Sequence, residues 1–376
     1  MAISAASTGP RPKALLVADE ISVQHIYGLD TLTALGGYVD FVGPPQSHDT
    51  ISRSTELMRQ IDILFTGWGP PVLDDRFLDA APNLRIVLHG AGGMGSMLTP
   101  AVWKRGIRVT SANAINAIPV AEYCQSVIVF SLKWGWRLAR AVRHLRSYPD
   151  RDRAPGCYRS TVGLVSFGAI ARELTRRLTQ MDLRVLVHDP HLDADTARRL
   201  GVTRVGLDKV FAESDVVSLH TPVLPQTYRM IRGRHIRLMK PNATFINTAR
   251  GELVQERELV LAAAERPDLQ FVLDTVDPEP PLPDSPLFTL PNVVLTPHIA
   301  GSVGPERLRM GEFIRDELRR YLAGEPLLGE VDESGSLNTT HQPVRRSSTE
   351  SQGARDTKVE VRLHLPGPAH GKTVTS

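Results

Sequence analysis

Three residues far apart in this chain have the types needed to hold an anion and move a proton. They are Arg250 in "INTARGEL", Glu279 in "DTVDPEPP" and His298 in "LTPHIAGS". Arginine offers a planar, permanently charged fork that matches carboxylate and carbonyl oxygens. Arg250 follows the strand-like "TFINTA", which puts it at the carboxyl end of a strand, where open α/β sheets bind ligands. Histidine is the natural proton carrier near neutral pH, so His298 is the residue for acid and base work. A carboxylate bonded to its ring, here Glu279, fixes the tautomer and favours the charged form. Taken singly, each has an ordinary alternative: a surface ion pair, a satisfied loop histidine, a solvated loop carboxylate.

A second stretch bears on a nucleotide. Residues 162–178 read "VGLVSFGAIARELTRRL", a strand-type run, a small-residue turn and a charged amphipathic segment. A dinucleotide-binding unit begins this way, with a helix N-terminus facing the pyrophosphate. The pattern G-x-G-x-x-G is kept only in its middle position: the three places hold Ser166, Gly168 and Ala171. Gly168 lets backbone approach phosphate, and Ala171 is an accepted substitute for the packing glycine. Asp189 ends the next strand-like run, 21 residues after Gly168 (189 − 168). An acid there accepts hydrogen bonds from ribose hydroxyls and repels a 2′-phosphate, which favours NADH over NADPH. A plain βαβ unit with an acidic strand end is the alternative reading.

These residues need two frames to position them. From Lys13, strand-like "KALLVAD", "YVDFVG", "IDILFTGW", "LRIVLHGAG" and "IRVTSA" alternate with helical segments. Pro119 opens a long helical stretch through "PVAEYCQSVIVFSLKWGWRLARAVRHLR", and a second alternating series follows to about Pro297. A last helix, roughly Gly304 to Leu322, ends before a C′ glycine, Gly324. Such alternation implies parallel sheets covered on both faces. The expected fold is α/β, with two Rossmann-like doubly wound parallel-sheet domains. Residues 1–12 read as a flexible leader and 331–376, rich in Ser, Thr, Gly and Pro, as a disordered tail.

Composition narrows the class. The chain has 376 residues, 41% hydrophobic and 23% charged, with net charge +3. That excess is too small and too scattered for a nucleic-acid binder. Cys124 and Cys157 make neither a metal spacing nor a disulfide framework, so a reducing cytoplasm is expected. No unbroken apolar run approaches the ~20 residues needed to span a bilayer, and neither a membrane nor a metal is expected.

The sequence resembles the D-isomer-specific 2-hydroxyacid dehydrogenase family. Four ordered stretches carry the likeness: "VGLVSFGAIA", "DVVSLHTPVLPQTYRMI", "MKPNATFINTARGELV" and "LDTVDPEPPLPDSPLFTLPNVVLTPHIAGS". The resemblance implies a nucleotide domain (118–298) inserted into a discontinuous substrate domain (13–117 and 299–330). It implies hydride transfer between NAD(H) and a 2-hydroxy acid/2-oxo acid pair. Arg250 would bind the substrate, and His298 would be acid and base, oriented by Glu279. His298 lies 19 residues beyond Glu279 (298 − 279), as in the family.

The same resemblance implies a cofactor set of Gly168, Ala169, Ile170, Asp189, Thr221, Pro222, Thr248, Ala249, Asp274 and His298. Asp274 has the alternative of capping nearby backbone. The family's substrate turn is here "AGGMGS", in which Gly92 and Gly93 offer amides to a carboxylate and Ser96 replaces the usual acid. Asn116 matches a polar position near substrate, with a structural turn role as the alternative. Trp68 either caps the pocket or packs between domains. Glu279 argues against formate as substrate, because formate-oxidising relatives carry glutamine there. Glyoxylate, hydroxypyruvate or a longer 2-oxo acid remain. A homodimer is expected from the family, and an NAD-sensing scaffold with little turnover is the competing functional class.

Overall fold

The computed structural model describes residues 10–95 and 97–337. Thirteen strands among these residues form two sheets, and the expected α/β fold is what they build. The first sheet takes β1 (Lys13–Val17), β2 (Asp40–Phe41), β3 (Ile63–Thr66), β4 (Ile86–His89) and β5 (Arg108–Ser111). The second takes β6 (Thr161–Val165), β7 (Arg184–His188), β8 (Thr203–Arg204), β9 (Val216–Leu219), β10 (Thr244–Asn247), β11 (Gln270–Leu273) and β12 (Val293–Leu295). A final strand, β13 (Glu330–Val331), returns to the first sheet.

Strand orders are β13-β5-β4-β3-β1-β2 and β12-β11-β10-β9-β6-β7-β8. All pairings are parallel except β13 on β5. Parallel strands are covered on both faces, which is why β3, β4, β6, β9, β10 and β11 are buried at every position. Chain order reverses beside β1 in one sheet and beside β6 in the other. Ligands bind in the crevice at such reversals, outside the strands' carboxyl ends. The helix Leu308–Leu322 sends Met310, Ile314 and Leu318 into one core with Leu16 and Leu88 of the first sheet and Ile26 of the helical segment Val23–Tyr27. The second sheet is thus an insertion within the first unit. Gly324 takes φ 67° just past that helix, the C′ geometry expected of it.

Several sequence expectations need correction. The linking helix is Asn113–Leu132 and carries Pro119 inside it. The Ala112 carbonyl accepts from Ile115 N and Asn116 N at 3.0 Å each, so the first turn closes upstream of the proline. Nor is the stretch continuous: Trp134 adopts φ 52°, and a new helix runs Gly135–Leu145. A side chain at Gly135 would sit 2.4 Å from the Phe130 ring, so a larger residue at this break would have to displace that ring. The helix Asn113–Leu132 is also long and apolar enough, by length and composition, to cross a membrane. Half of it is buried inside the fold, where it packs on the helix Ala169–Leu178, and a helix covered on several faces has this composition.

At the chain's end, Val331 pairs with Val109 and Glu333–Leu337 is a short helix, so the expected tail starts too early at 331. Buried Glu317 explains the ordering. It accepts Thr110 Oγ1 at 2.6 Å and the Leu328 and Gly329 amides at 2.9 Å each, fastening the returning segment beside β5. The rest of the tail, and the leader up to residue 9, lie outside the described residues.

Candidate active site

The loops that follow β3, β4, β6, β9, β10 and β12 meet at one solvent-open cleft of about 510 Å³. Trp68, Gly92, Gly93, Asn116, Gly168, Ala169, Ile170, Thr221, Pro222, Thr248, Ala249, Arg250 and His298 all line it. The sequence alone singles out each of these. Glu279 stands behind His298, Asp189 lies in a separate recess, and Asp274 is buried away from the lining.

His298 is held from three sides. Its Nδ1 is 2.8 Å from Glu279 Oε1, and the two side chains are 40% and 37% exposed. Its backbone adopts φ 52°, an uncommon state for a side chain of this size. Asp274 accounts for that conformation: Oδ1 accepts Thr296 Oγ1 (2.6 Å) and Ile299 N (2.8 Å), and Oδ2 accepts Ala300 N (2.9 Å). The His298 amide donates to the Asp274 carbonyl at 3.1 Å. The capping alternative for Asp274 is thus visible in the structure. Its carboxylate caps the backbone on either side of the histidine and fixes where the imidazole stands.

Arg250 follows β10 at a turn shaped by Asn247, whose amide donates to Arg250 O at 3.0 Å and whose Oδ1 accepts Ala249 N at 3.0 Å. Glycine must follow, because a side chain at Gly251 would lie 2.0 Å from the Val276 carbonyl carbon. Arg250 Nη1 donates to Ala249 O at 2.6 Å, while its Nε is buried with no partner among the described residues. Burial pulls the guanidinium below its ordinary range; the charges of Glu252 and Glu279 act in the opposite sense. An arginine remains charged under such a shift. That Glu279 bears on both Arg250 and His298 brings the three groups together at one end of the cleft.

The damaged fingerprint now has a physical account. Ser166 takes φ 72°, the conformation its missing glycine would adopt freely. Its Oγ is 2.9 Å from Thr221 Oγ1, and its amide donates to His188 O at 2.7 Å. These bonds offset a left-handed strain of about 1–2 kcal/mol. Gly168 then starts the helix Ala169–Leu178 with no side-chain cap, and a Cβ placed on it would meet nothing within 4 Å. Ala171 is fully buried where helix meets strand. Asp189 Oδ2 accepts Phe167 N at 2.7 Å, and Oδ1 accepts His191 N at 2.7 Å. It shares its recess with Arg204, a cation the sequence did not mark.

These observations fit a dinucleotide: uncapped helix amides beside open space, an acid after the second strand, and orphaned polar atoms facing the cleft. His220 supplies the clearest orphan. It is 8% exposed, lines the cleft, and has no partner for either ring nitrogen among the described residues. Burial pushes its pKa down to about 4, so it is neutral at pH 7.

On the opposite wall, buried His89 sets the substrate turn. Its Nδ1 meets Thr66 Oγ1 at 2.8 Å and its Nε2 meets Gly93 O at 3.2 Å. Burial lowers its pKa to about 4, leaving one nitrogen to accept and the other to donate. A Cβ at Gly92 would fall 2.6 Å from Asn116 Nδ2, whereas Gly93 is open. Asn116 Oδ1 accepts Ser302 N at 3.2 Å, so this residue joins the β4 turn to the histidine loop. Its turn role is thus visible, while it also faces the cleft.

Sequence reasoning missed His220, Asp19, Ser302 and Arg307, which also line the cleft. His220 stood in plain view in "SLHTP"; Arg307 in "VGPERLRM" has the look of an ordinary helix-surface charge.

Residues 131–300 match the D-isomer specific 2-hydroxyacid dehydrogenase, NAD binding domain family. A glyoxylate reductase of Korarchaeum cryptofilum is 32% identical over 289 residues, spanning 75% of this chain and 85% of that protein. A D-3-phosphoglycerate dehydrogenase of Archaeoglobus fulgidus is 29% identical over 69% of this chain, which spans 49% of that longer protein. In fold, the chain is similar to apo D-mandelate dehydrogenase from Rhodotorula graminis, with TM-score 0.71, 22% identity, and coverage of 86% and 98% of the two chains. The chain therefore belongs to the D-isomer specific 2-hydroxyacid dehydrogenase family, as an NAD-dependent enzyme with a nucleotide-binding unit inserted in a second α/β unit.

Proposed function

We propose that the cleft reduces a 2-oxo acid to the 2-hydroxy acid, with Arg250, His298 and Glu279 as its working groups. The observation that carries this reading is the 2.8 Å His298–Glu279 contact in the same cleft as the Arg250 guanidinium. Arg250 binds the substrate carboxylate and polarises the carbonyl. Its buried, unpartnered Nε marks a group built to receive an acceptor. With Nδ1 facing Glu279, Nε2 is the His298 atom that serves the substrate. The contact with Glu279 fixes the orientation of the ring.

NADH, when bound, supplies the hydride that adds to C2. As that bond forms, the carbonyl π pair moves onto oxygen, and the proton on His298 Nε2 transfers there. A 2-hydroxy acid and the oxidised cofactor result, and the imidazole regains its proton from solvent. Oxidation is the reverse, with neutral His298 as base. Gly168, Ala169 and Ile170 would hold the pyrophosphate through backbone amides, with Thr221 and Pro222 beneath the cofactor and Thr248 and Ala249 beside the nicotinamide. Asp189 favours NADH, as a carboxylate repels a 2′-phosphate. A homodimer belongs to the same reading: Trp136 packs on the core of the second sheet, but no residue of Gly135–Leu145 is fully buried within the chain, which leaves the rest of that helix for a second copy.

The test follows NADH absorbance with glyoxylate, hydroxypyruvate and longer 2-oxo acids. Turnover with NADH, and slower turnover with NADPH, is expected. Tight NADH binding with no turnover on any of them would favour the scaffold class instead.

A further inference from the structure

Arg307 is a second guanidinium on the lining of the cleft, and the chemistry proposed above does not use it. It sits in the turn Gly304–Arg307 that leads into the final helix. Two contacts hold it: its guanidinium lies 5.4 Å from the Trp68 ring centroid, and its Nε donates to Ser302 O at 3.2 Å. A stacked, tethered guanidinium has lost much of its rotamer freedom before any ligand arrives. Ser302 is in turn held by Asn116, so this cation is tied to the loop that carries His298.

What it lacks is an anion. No carboxylate lies within ion-pair distance of Arg307 among the described residues, although neighbouring arginines on the final helix are paired, Arg315 with Asp316 and Arg319 with Glu325. The acidic side chain lining the same cleft, Asp19, is engaged at 2.6 Å with Ser22 N. Arg250 already provides for the carboxylate that every 2-oxo acid carries. The Nη groups of Arg307 therefore remain for something further along the substrate.

We infer that Arg307, stacked on Trp68, recognises a second anionic group on the substrate, so that the enzyme favours 2-oxo acids bearing a distal carboxylate or phosphate. This rests on the 2-oxo acid reduction proposed above. Charge-assisted contacts from a fixed arginine fork are roughly twice as strong as neutral ones, so substrates that lack the acceptor are bound less well. Trp68 then has a defined role, since its ring is the platform that sets the height and tilt of the cation.

The experiment compares kcat/KM for oxaloacetate and 3-phosphonooxypyruvate with that for 2-oxobutyrate, in the wild type, Arg307→Met and Arg307→Lys. NADH fluorescence titration reports whether each variant retains its cofactor site. The wild type should favour at least one dianionic substrate over 2-oxobutyrate by about 10- to 100-fold, the range for a charged hydrogen-bonded contact. Which of the two it favours tells carboxylate from phosphate. Arg307→Met should bring that ratio close to one, and Arg307→Lys should restore part of it. A wild type without the preference, or a preference that survives in Arg307→Met, overturns the inference. Should Arg307→Met fail to bind NADH, the wild-type ratio and Arg307→Lys decide alone. Absence of turnover on all three substrates defeats the underlying reading, and this inference with it.

Discussion

Two histidines line the same cleft in opposite circumstances. His298 is 40% exposed and shares a 2.8 Å contact with a carboxylate. His220 is 8% exposed, has no partner for either nitrogen among the described residues, and is held near pKa 4 by burial. Proton transfer at neutral pH needs a ring that can take up charge and exchange it with water. The first environment provides that and the second forbids it. The residue type is therefore no guide to role; the nearby carboxylate and access to solvent are. His220 suits a neutral hydrogen-bonding partner for the cofactor.

The largest effect expected from this contrast is a change of kcat. His298→Gln should lower reduction by about 10²- to 10⁴-fold, the usual contribution of a general acid. His220→Gln should cost less than about tenfold in kcat and act chiefly on NADH affinity. Stopped-flow NADH oxidation, with the cofactor Kd measured separately, distinguishes the two. Equal losses of kcat would abolish the distinction.

Glu279→Gln sharpens it. The carboxamide lacks the charge that holds the ring at 2.8 Å, so kcat of reduction should fall by about tenfold or more while the NADH Kd stays near the wild-type value. An unchanged kcat would mean that Glu279 does not govern His298.

Stability in acid should reflect the buried histidines. His89 and His220 are both lowered from 6.5 to about 4 on folding. Between those values the unfolded chain binds more protons than the folded one, so stability rises with pH across that window and is lost as pH falls through it. Each fully buried ring contributes on the order of 3 kcal/mol. Thermal unfolding measured from pH 7 to pH 4 should show this slope, and it should be shallower in His89→Gln, where an amide can still serve Thr66 and Gly93.

The smallest effect concerns Ser166→Gly. Glycine removes the strain at φ 72° but gives up the bond to Thr221. The two changes are each about 1 kcal/mol and opposed, so the NADH Kd should stay within about threefold. A collapse of affinity would show that the hydroxyl does more than hold the turn.

The fold is legible in the sequence because it rests on local rules, and most of the cleft lining because the family resemblance implies it. Alternating strands and helices, Arg250 after a strand and the Gly168 turn are all short-range patterns. What stays hidden depends on distant partners. The capping bonds of Asp274 to the Thr296 hydroxyl and the Ile299 and Ala300 amides exist only in the folded register. Pro119 reads as a helix start because the turn closed by Ala112 has no signature. Arg307 reads as surface charge, since nothing in its neighbourhood in sequence announces Trp68 across the cleft. The β13 strand is two residues long and owes its order to Glu317, a buried acid whose partners include Thr110, 207 residues away in the chain.

A crystal structure of the ternary complex with NAD and oxalate addresses the central claim most directly. One oxalate carboxylate should lie on the Arg250 guanidinium, with His298 Nε2 within hydrogen-bond distance of the other and Glu279 still on Nδ1. Oxalate bound elsewhere, or a His298 ring turned away from it with Glu279 detached, would contradict the assignment of these three groups.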